Sequence, residues 1–461
     1  MRALTLLLLG FLVNAAAADG VTLPDAERVE LANGTVLILV ENHEVPLIGL
    51  EAVIVGGAAA DPTTKHGLAG LYAALLSQGA GERDAASFVE TAAAVGGEIG
   101  ASAGVESIVV AAEFMSRDAA LMVELVADML IRPALNEPEF EKLRERSVNF
   151  VLAAKGNDPS GLMSSYANAF LFAEHPYGNP VSGSESSLAN IQYEDVLAYH
   201  TDRVGGDRLV IAVSGDFETA AMREILTAAF GEWRAASGAL AEIPVATPSS
   251  GRRVLLIDKP GATQTYFYIG NVGVARGYAA RAELDLANTV FGGRFTSMLM
   301  TELRTKSGLS YSARSSLARN SKSGSVFIAS STETDTTFEA IDLALVTLAR
   351  FRDNGLDAAM IQSARNYIMG QFPTRLETAA QLASTFALLE STGLDVSYIN
   401  GYGPNLAAAT RETIAATINE VYPQDEDLVF IVLGDAETLR ESIAKYGAVT
   451  EMAISETRFH P

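Results

Sequence analysis

At 461 residues, 49% of them hydrophobic and 19% charged, the chain has room for two or three domains with cores of their own and lacks the composition of a fibre or a disordered tail. Its 56 acidic against 33 basic residues give a formal charge of −23. That excess excludes a nucleic-acid or anionic-membrane partner, because lysine and arginine supply the affinity in such contacts. The absence of cysteine excludes disulfides, thiolate metal sites and a cysteine nucleophile together.

The chain opens like an export signal. Arg2 precedes a largely apolar run over 4–13, and Ala16, Ala17 and Ala18 stand before Asp19 as in an A-x-A cleavage site. About ten such residues are too few to span a bilayer. The reading is a signal peptide over 1–18, removed on export to the periplasm or beyond, with an uncleaved anchor as the alternative. No later stretch reaches ~18 uninterrupted apolar residues, so the mature chain is expected to have no membrane span.

Two short strands over 29–40 then turn at Asn33-Gly34, a hairpin signal, and a strand follows over 48–55. Apolar residues recur at helical spacing over 67–78, 84–95, 117–131 and 138–154, while 106–114 alternates as a strand. A strand over 208–216 and a helix over 218–231 close this half. Residues 238–251, rich in Ala, Pro and Ser with Pro244 and Pro248, read as a linker. The plan then repeats, with strands over 253–257 and 265–269, a helix over 279–304 and a strand over 325–330. Helices follow over 335–353, 357–370 and 376–392, and a last strand begins at 428. That last strand repeats the one at 209, with Gly215-Asp216 matched by Gly434-Asp435 and Glu218-Thr219 by Glu437-Thr438, at an offset of 219 residues. A period this long means duplicated domains, since solenoid repeats run ~20–50 residues. The expected architecture is two α+β domains, over 19–237 and 252–461.

Five segments in order carry a family resemblance. They are the run from Leu31 to His43, the helix start Gly67-Leu-Ala, the stretch from Val95 to Ser102, the stretch His175-Pro-Tyr-Gly-Asn-Pro to Glu185 with 191–200, and the run from Phe295 to Tyr311. Together they resemble the M16B group of the M16 (pitrilysin/insulinase-like) peptidases. The resemblance implies two homologous M16-type (LuxS/MPP-like) domains, each a mostly antiparallel sheet covered by helices.

Active members of that family resemble one another in an inverted zinc motif, H-x-x-E-H, on the helix beginning Gly-Leu-Ala, with a further Glu some 75 residues on. Two imidazoles one turn apart and the distant carboxylate hold Zn²⁺, and the motif Glu acts as base to the metal-bound water. Here Gly70 and Ala74 stand where the histidines belong, Ala73 where the base belongs, and the distal position falls near Val151 or Leu152. None of these side chains has a lone pair for the metal. The other histidines, His43, His66, His175, His200 and His460, include no pair three or four apart on a helix. His66 reads as a surface residue and His175 as a packing or capping one.

What the resemblance retains is Arg304 and Tyr311, which match the Arg/Tyr pair that the family's C-terminal domains bring to the active site as donors to the substrate carbonyl or its oxyanion. The plain alternative is a solvated cation and a half-buried strand aromatic. The resemblance therefore implies a heterodimer, in which a zinc-bearing M16B subunit binds the Zn and this chain, binding no cofactor, supplies the donors for peptide hydrolysis. A catalytically inert scaffold with the same fold, as in the core proteins of the respiratory bc1 complex, is the competing function. Family peptides add as a strand to a sheet edge, here 99–103, where Gly100 replaces the common Asn and weakens the case for peptide binding by the first domain.

Three further signals read as structure. Gly100-Ala-Ser-Ala-Gly104 fits the serine-hydrolase pattern, but Ser102 sits between a helix and a strand, whereas the elbow needs strand, serine, then helix. Gly96-Gly97 and Gly292-Gly293 lack the spacing and lysine of a phosphate loop and read as turns. Phe291, Phe295, Met298 and Leu299 lie at helical spacing and read as core.

Overall fold

The structure, a computed structural model, describes residues 21–240 and 242–461, so the signal peptide expected over 1–18 lies outside the described residues. The first sheet is built from β1 (Glu27–Glu30), β2 (Val36–Glu41), β3 (Leu47–Val55), β4 (Glu98–Ala103), β5 (Ser107–Met115) and β6 (Leu209–Gly215), in the order β1-β2-β6-β3-β5-β4. The second contains β7 (Arg253–Asp258), β8 (Gln264–Gly273), β9 (Ala313–Arg319), β10 (Gly324–Glu333), β11 (Val429–Gly434) and β12 (Ala448–Ala453), in the order β12-β7-β11-β8-β10-β9. The two orders correspond strand for strand, β2 with β7, β6 with β11, β3 with β8, β5 with β10 and β4 with β9. Only the outermost strand differs, because β1 runs antiparallel to β2 whereas β12 runs parallel to β7. The duplication read from the repeated Gly-Asp strands is thus a duplication of topology.

Every residue of β6 and β11 is buried, which means that each sheet is covered on both faces. Alternate residues divide between two cores. Leu209, Ile211 and Val213 pack with helices of their own half, among them α1 (Leu68–Leu76). Val210 and Ala212 face the other way and join a core that contains Ala383, Phe386 and Ala387 of a helix from the second half. The second sheet does the reverse. Its Leu255, Ile257, Val429, Ile431 and Leu433 pack against Tyr166, Ala167 and Phe170 of a helix from the first half. With α2 (Glu137–Gly156) between them, these elements are labelled α3 (Met163–Phe172), α4 (Arg281–Phe291), α5 (Ala358–Gln371) and α6 (Ala379–Ser391). Each half therefore lends one helix, α3 or α6, to the sheet of the other.

The exchange is close. At Gly49 on β3, an added Cβ would stand 2.4 Å from the backbone nitrogen of Ala380 on α6, so only glycine lets the helix lie on the strand. Polar groups fasten the same junction. The Lys155 ammonium is 2.7 Å from Glu185 Oε1 and also donates to the Glu456 carbonyl in the C-terminal segment. The Pro176–Gly178 turn is capped by His175, whose Nδ1 accepts from the Tyr177 amide while Nε2 lies 3.0 Å from the Pro244 carbonyl. Tyr177 donates its hydroxyl to Glu106, which accepts the Ser321 amide of the second half. The His-Pro-Tyr-Gly stretch is thus an inter-domain clamp, with His175 in the capping role expected for it.

One predicted helix is two. Instead of running over 279–304, α4 stops at Phe291, and a π-helical turn, Met300–Lys306, follows after a break. The cause is Gly292, whose added Cβ would sit 2.1 Å from the Ser315 nitrogen of β9, so the edge strand passes where a continuing helix would need side chains. β9 itself and α3 carry no strong periodic signal and are additions to the predicted set. Among the described residues, no helix is long and apolar enough to cross a membrane.

If the exchanged helix holds the halves together, Gly49→Val will lower stability by about 2–3 kcal/mol, whereas Gly100→Asn, where an added Cβ meets nothing within 4 Å, will stay within about 0.5 kcal/mol of the parent. Urea unfolding of the two variants checks this, and equal midpoints would show that α6 is not seated as described.

Candidate functional site

The helix that carries the degenerate motif is anchored before its chemistry is considered. Gly67, with φ at 96°, turns the chain into α1, and buried Asp61 accepts hydrogen bonds from the amides of Gly67 (2.8 Å) and Ala69 (3.0 Å). Burial pushes the Asp61 carboxyl up to about 7, against the lowering effect of those amide donors. At the other side of α1, the Tyr72 hydroxyl lies 2.8 Å from His200 Nδ1, and burial brings His200 down to about 4, leaving a neutral ring.

Of the three degenerate positions Gly70 opens on a cleft. It lines a cleft of about 580 Å³ with Arg146, Ser147 and Phe150 of α2, Ala103 at the end of β4, Asn168 of α3 and the 179–182 loop. Ala73 is buried in the first-half core, and Ala74 packs half-buried against it. Neither residue expected at the distal position lines this cleft. Val151 points into the core shared with the second half and Leu152 lies exposed, so the α2 residues on the cleft are Arg146, Ser147 and Phe150.

Among the described residues the cleft wall contains no imidazole, thiol or carboxylate, and its one charged side chain is the cation Arg146. Space is wanting as well as chemistry, since an added Cβ at Gly70 would come 2.6 Å from the Val181 carbonyl oxygen. These residues do not fit the zinc ion that the family motif would hold. The edge strand beside the cleft is present, because β4 is the outermost strand of its sheet and Gly100 on it is exposed. Ser102 lies on that strand, exposed, with a turn and strand β5 following rather than a helix.

Arg304 and Tyr311 do not line this cleft. Arg304 stands on the π-helical turn, its guanidinium 4.5 Å from the Tyr311 ring centre and 4.9 Å from that of Phe295. Tyr311 is 81% and Phe295 65% exposed. Tyr311 precedes β9 and is not the half-buried strand aromatic of the alternative reading. Among the described residues the Arg304 side chain makes no hydrogen bond or ion pair, so two aromatic faces hold it while its N–H edge stays free. Phe295 was read as core and is not. Phe291 and Leu299 are buried, but the break after α4 ends the helical spacing and turns Phe295 to solvent. Its proximity to the Arg/Tyr motif was the only sequence signal for this third member.

The remaining histidines form no metal site with the motif. His66 is half-buried rather than a surface residue, burial lowers its pKa, and its Nε2 has no partner among the described residues. Exposed Glu41, His43 and Glu218 are near one another, yet the His43 ring is spent on Asp216 (2.7 Å) and Glu41 (3.0 Å), which raise its pKa. Glu41 in turn accepts the Thr219 amide at the start of the following helix.

Comparison with known proteins identifies the fold and the family. Residues 36–185 match the profile described as insulinase (peptidase family M16), and residues 190–368 match that described as peptidase M16 inactive domain. The chain is 27% identical over 328 residues to an uncharacterized zinc protease of Mycobacterium leprae, covering 70% of this chain and 72% of that protein. It is 23% identical over 356 residues to the non-peptidase homolog YmxG of Helicobacter pylori, covering 76% and 80%. The peptidase M16 inactive domain from Pseudomonas fluorescens superposes with a TM-score of 0.82 at 21% identity, over 89% of this chain and 98% of that one. The periplasmic protease PqqL of Escherichia coli superposes at 0.75 and 14% identity, over 90% of this chain and 46% of that one. The fold is a pair of M16-type domains whose first half has lost the metal-binding side chains. The chain belongs to the M16 peptidase family, on its non-zinc side.

The cap of α1 has a pH signature. Unfolded Asp61 releases its proton near 3.8 and the folded residue near 7, so between these values the folded state binds the extra proton and stability falls as pH rises. Asp61→Asn removes that component, so the difference in urea midpoint between variant and parent will change across about pH 4–7. A constant difference would mean that Asp61 is ionised throughout.

Proposed function

We propose that this chain is the non-zinc subunit of an exported two-chain M16 peptidase, in which Arg304 and Tyr311 complete an active site whose zinc lies in a partner of the same family. The observation that carries this reading is the exposed Phe295–Arg304–Tyr311 cluster, with an unspent guanidinium and phenol, on a chain whose own cleft has no metal ligands. A guanidinium and a phenol give fixed donors for a peptide carbonyl as it becomes an oxyanion. Exposed aromatics beside an arginine are also the composition of an interface centre, which suits a surface that closes on another chain. The length of PqqL supports the pairing, since this chain accounts for 46% of it and leaves room for a second unit of similar size. That PqqL is a periplasmic protease supports export, in line with the signal read over residues 1–18. The peptide substrate would be an extended segment, placed as a strand against a sheet edge of the zinc-bearing chain.

Co-expression with a zinc-motif M16 chain tests the reading, with peptide cleavage measured for each chain, for the pair, and for pairs carrying Arg304→Ala or Tyr311→Phe. The pair is expected to cleave where this chain alone does not. Arg304→Ala should lower kcat/KM about 10²–10³-fold with the zinc content of the pair unchanged. A variant pair as fast as the parent pair would remove the donor role, and a pair no faster than the zinc chain alone would favour the inert scaffold.

A further inference from the structure

The duplication that produced the Gly70 cleft also produced its counterpart in the second half. There α4 takes the place of α1, α5 that of α2, and the edge strand β9 that of β4. The correspondence extends to the residues, since Arg146, Ser147 and Phe150 of α2 line the first cleft and Tyr367, Ile368 and Gln371 of α5, at the same i, i+1, i+4 spacing, line the second. The second cleft, of about 520 Å³, differs in chemistry. It collects Arg276, Arg281, Arg319 and Arg375 around a single carboxylate, Asp285.

Asp285 is already committed. One oxygen accepts from Arg319, and the other accepts the Tyr402 hydroxyl at 2.7 Å. Arg281 is fixed by the faces of Tyr398 and Tyr402, 3.8 and 4.2 Å from its guanidinium carbon, and spends one N–H on the Tyr398 carbonyl at 2.9 Å. The Nε atoms of Arg276, Arg281 and Arg319 are buried with no hydrogen-bond partner among the described residues, that of Arg281 lying 3.7 Å from Asp285 Oδ2 as an ion pair. The side chains of Arg276 and Arg375 make no hydrogen bond or ion pair there either. Four lining cations face one lining carboxylate, an excess that Glu106 and Glu242, which share a neighbouring cavity with Arg276, offset in part, in a partly enclosed space on a protein whose overall charge repels anions. The side chains of Arg276 and Arg375 line the cleft without an internal acceptor among the described residues, and an oxyanion in the cleft supplies what they lack.

We propose that this second cleft binds a phosphate-class oxyanion, either inorganic phosphate or a small phosphate monoester. A monocarboxylate brings one charge and two coplanar oxygens, whereas a tetrahedral dianion can accept from several guanidiniums at once. The volume exceeds what phosphate alone fills, and Leu317, Ile368 and Phe372 give an apolar wall for an organic group. This site is independent of the role assigned to Arg304.

Isothermal titration calorimetry of the full mature chain at constant ionic strength, with inorganic phosphate, phenyl phosphate and succinate as probes, tests the proposal. One-to-one saturable binding of a phosphate probe is expected, and the tighter of the two identifies free phosphate or monoester as the source. Arg375→Gln, at an exposed position without internal partners, and Arg276→Gln should each weaken that binding about tenfold or more, while Arg375→Gln leaves the ligand-free Tm unchanged. Absence of saturable binding to either phosphate up to about 10 mM, equal binding by parent and both variants, or tighter binding of succinate would each overturn it.

Discussion

Everything in this fold depends on the reciprocal loan of two helices. A sheet whose strands are buried on both faces needs a second cover, and neither half possesses one. Residues of β6 show the consequence directly, because Leu209, Ile211 and Val213 belong to one core and Val210 and Ala212 to another that contains residues of the opposite half. A half expressed alone would leave one face of its sheet in water, at a cost that scales with the apolar area exposed. The halves therefore fold as one unit, and the relation between them is fixed by packing as dense as a core rather than by a mobile linker.

That constraint separates scaffold from chemistry. Backbone positions of the two clefts are set by the sheets and by the helices packed on them, so both clefts persist although, among the described residues, the first is lined by no imidazole or carboxylate and the second by Asp285 alone. What varies is the side chain offered to the opening. In the first half, Gly70, Ser147 and Arg146 leave a cleft with one cation, and the Val181 carbonyl fills the place where a larger residue on α1 would project. In the second, Arg281 and Arg319 are braced by tyrosines and Asp285 and create a concentrated positive site. One architecture thus presents two unrelated surfaces to ligands.

Much of this was legible in the sequence, for reasons that differ by element. Strands such as Leu47–Val55 and helices such as Glu137–Gly156 carry their own periodicity, and the paired Gly-Asp steps announce the repeat without any structure. The family resemblance singled out Gly70, Ala73 and Ala74, and of these Gly70 faces a cleft. Elements governed by tertiary contact were less legible. β9 reads Ala-Arg-Ser-Ser-Leu-Ala-Arg because an edge strand needs only partial burial, so hydrophobic alternation is faint. Phe295 was assigned to the core because its spacing assumed a helix that Gly292 ends, and the cause of that ending, the nearness of β9, lies in space rather than in sequence. His66 was similarly misjudged as a surface group, since what buries it comes from elsewhere in the chain.

The arginines show how a protein can hold a cation in place and still leave it available. An ion pair such as Lys155 with Glu185 fixes both partners but spends the charge, and little donor capacity remains for anything else. A ring stacked on a guanidinium occupies its face and leaves the N–H edge open, so position is determined while the donors are not consumed. Arg304 between Phe295 and Tyr311 is held in this way, whereas Arg281, between Tyr398 and Tyr402, also spends an N–H on the Tyr398 carbonyl and lies 3.7 Å from Asp285. Preorganised donors of this kind need no rearrangement when negative charge arrives, which is the condition for stabilising a developing oxyanion or capturing a bound one. Arg304 meets it at an exposed aromatic cluster, the surface on which the proposed function rests.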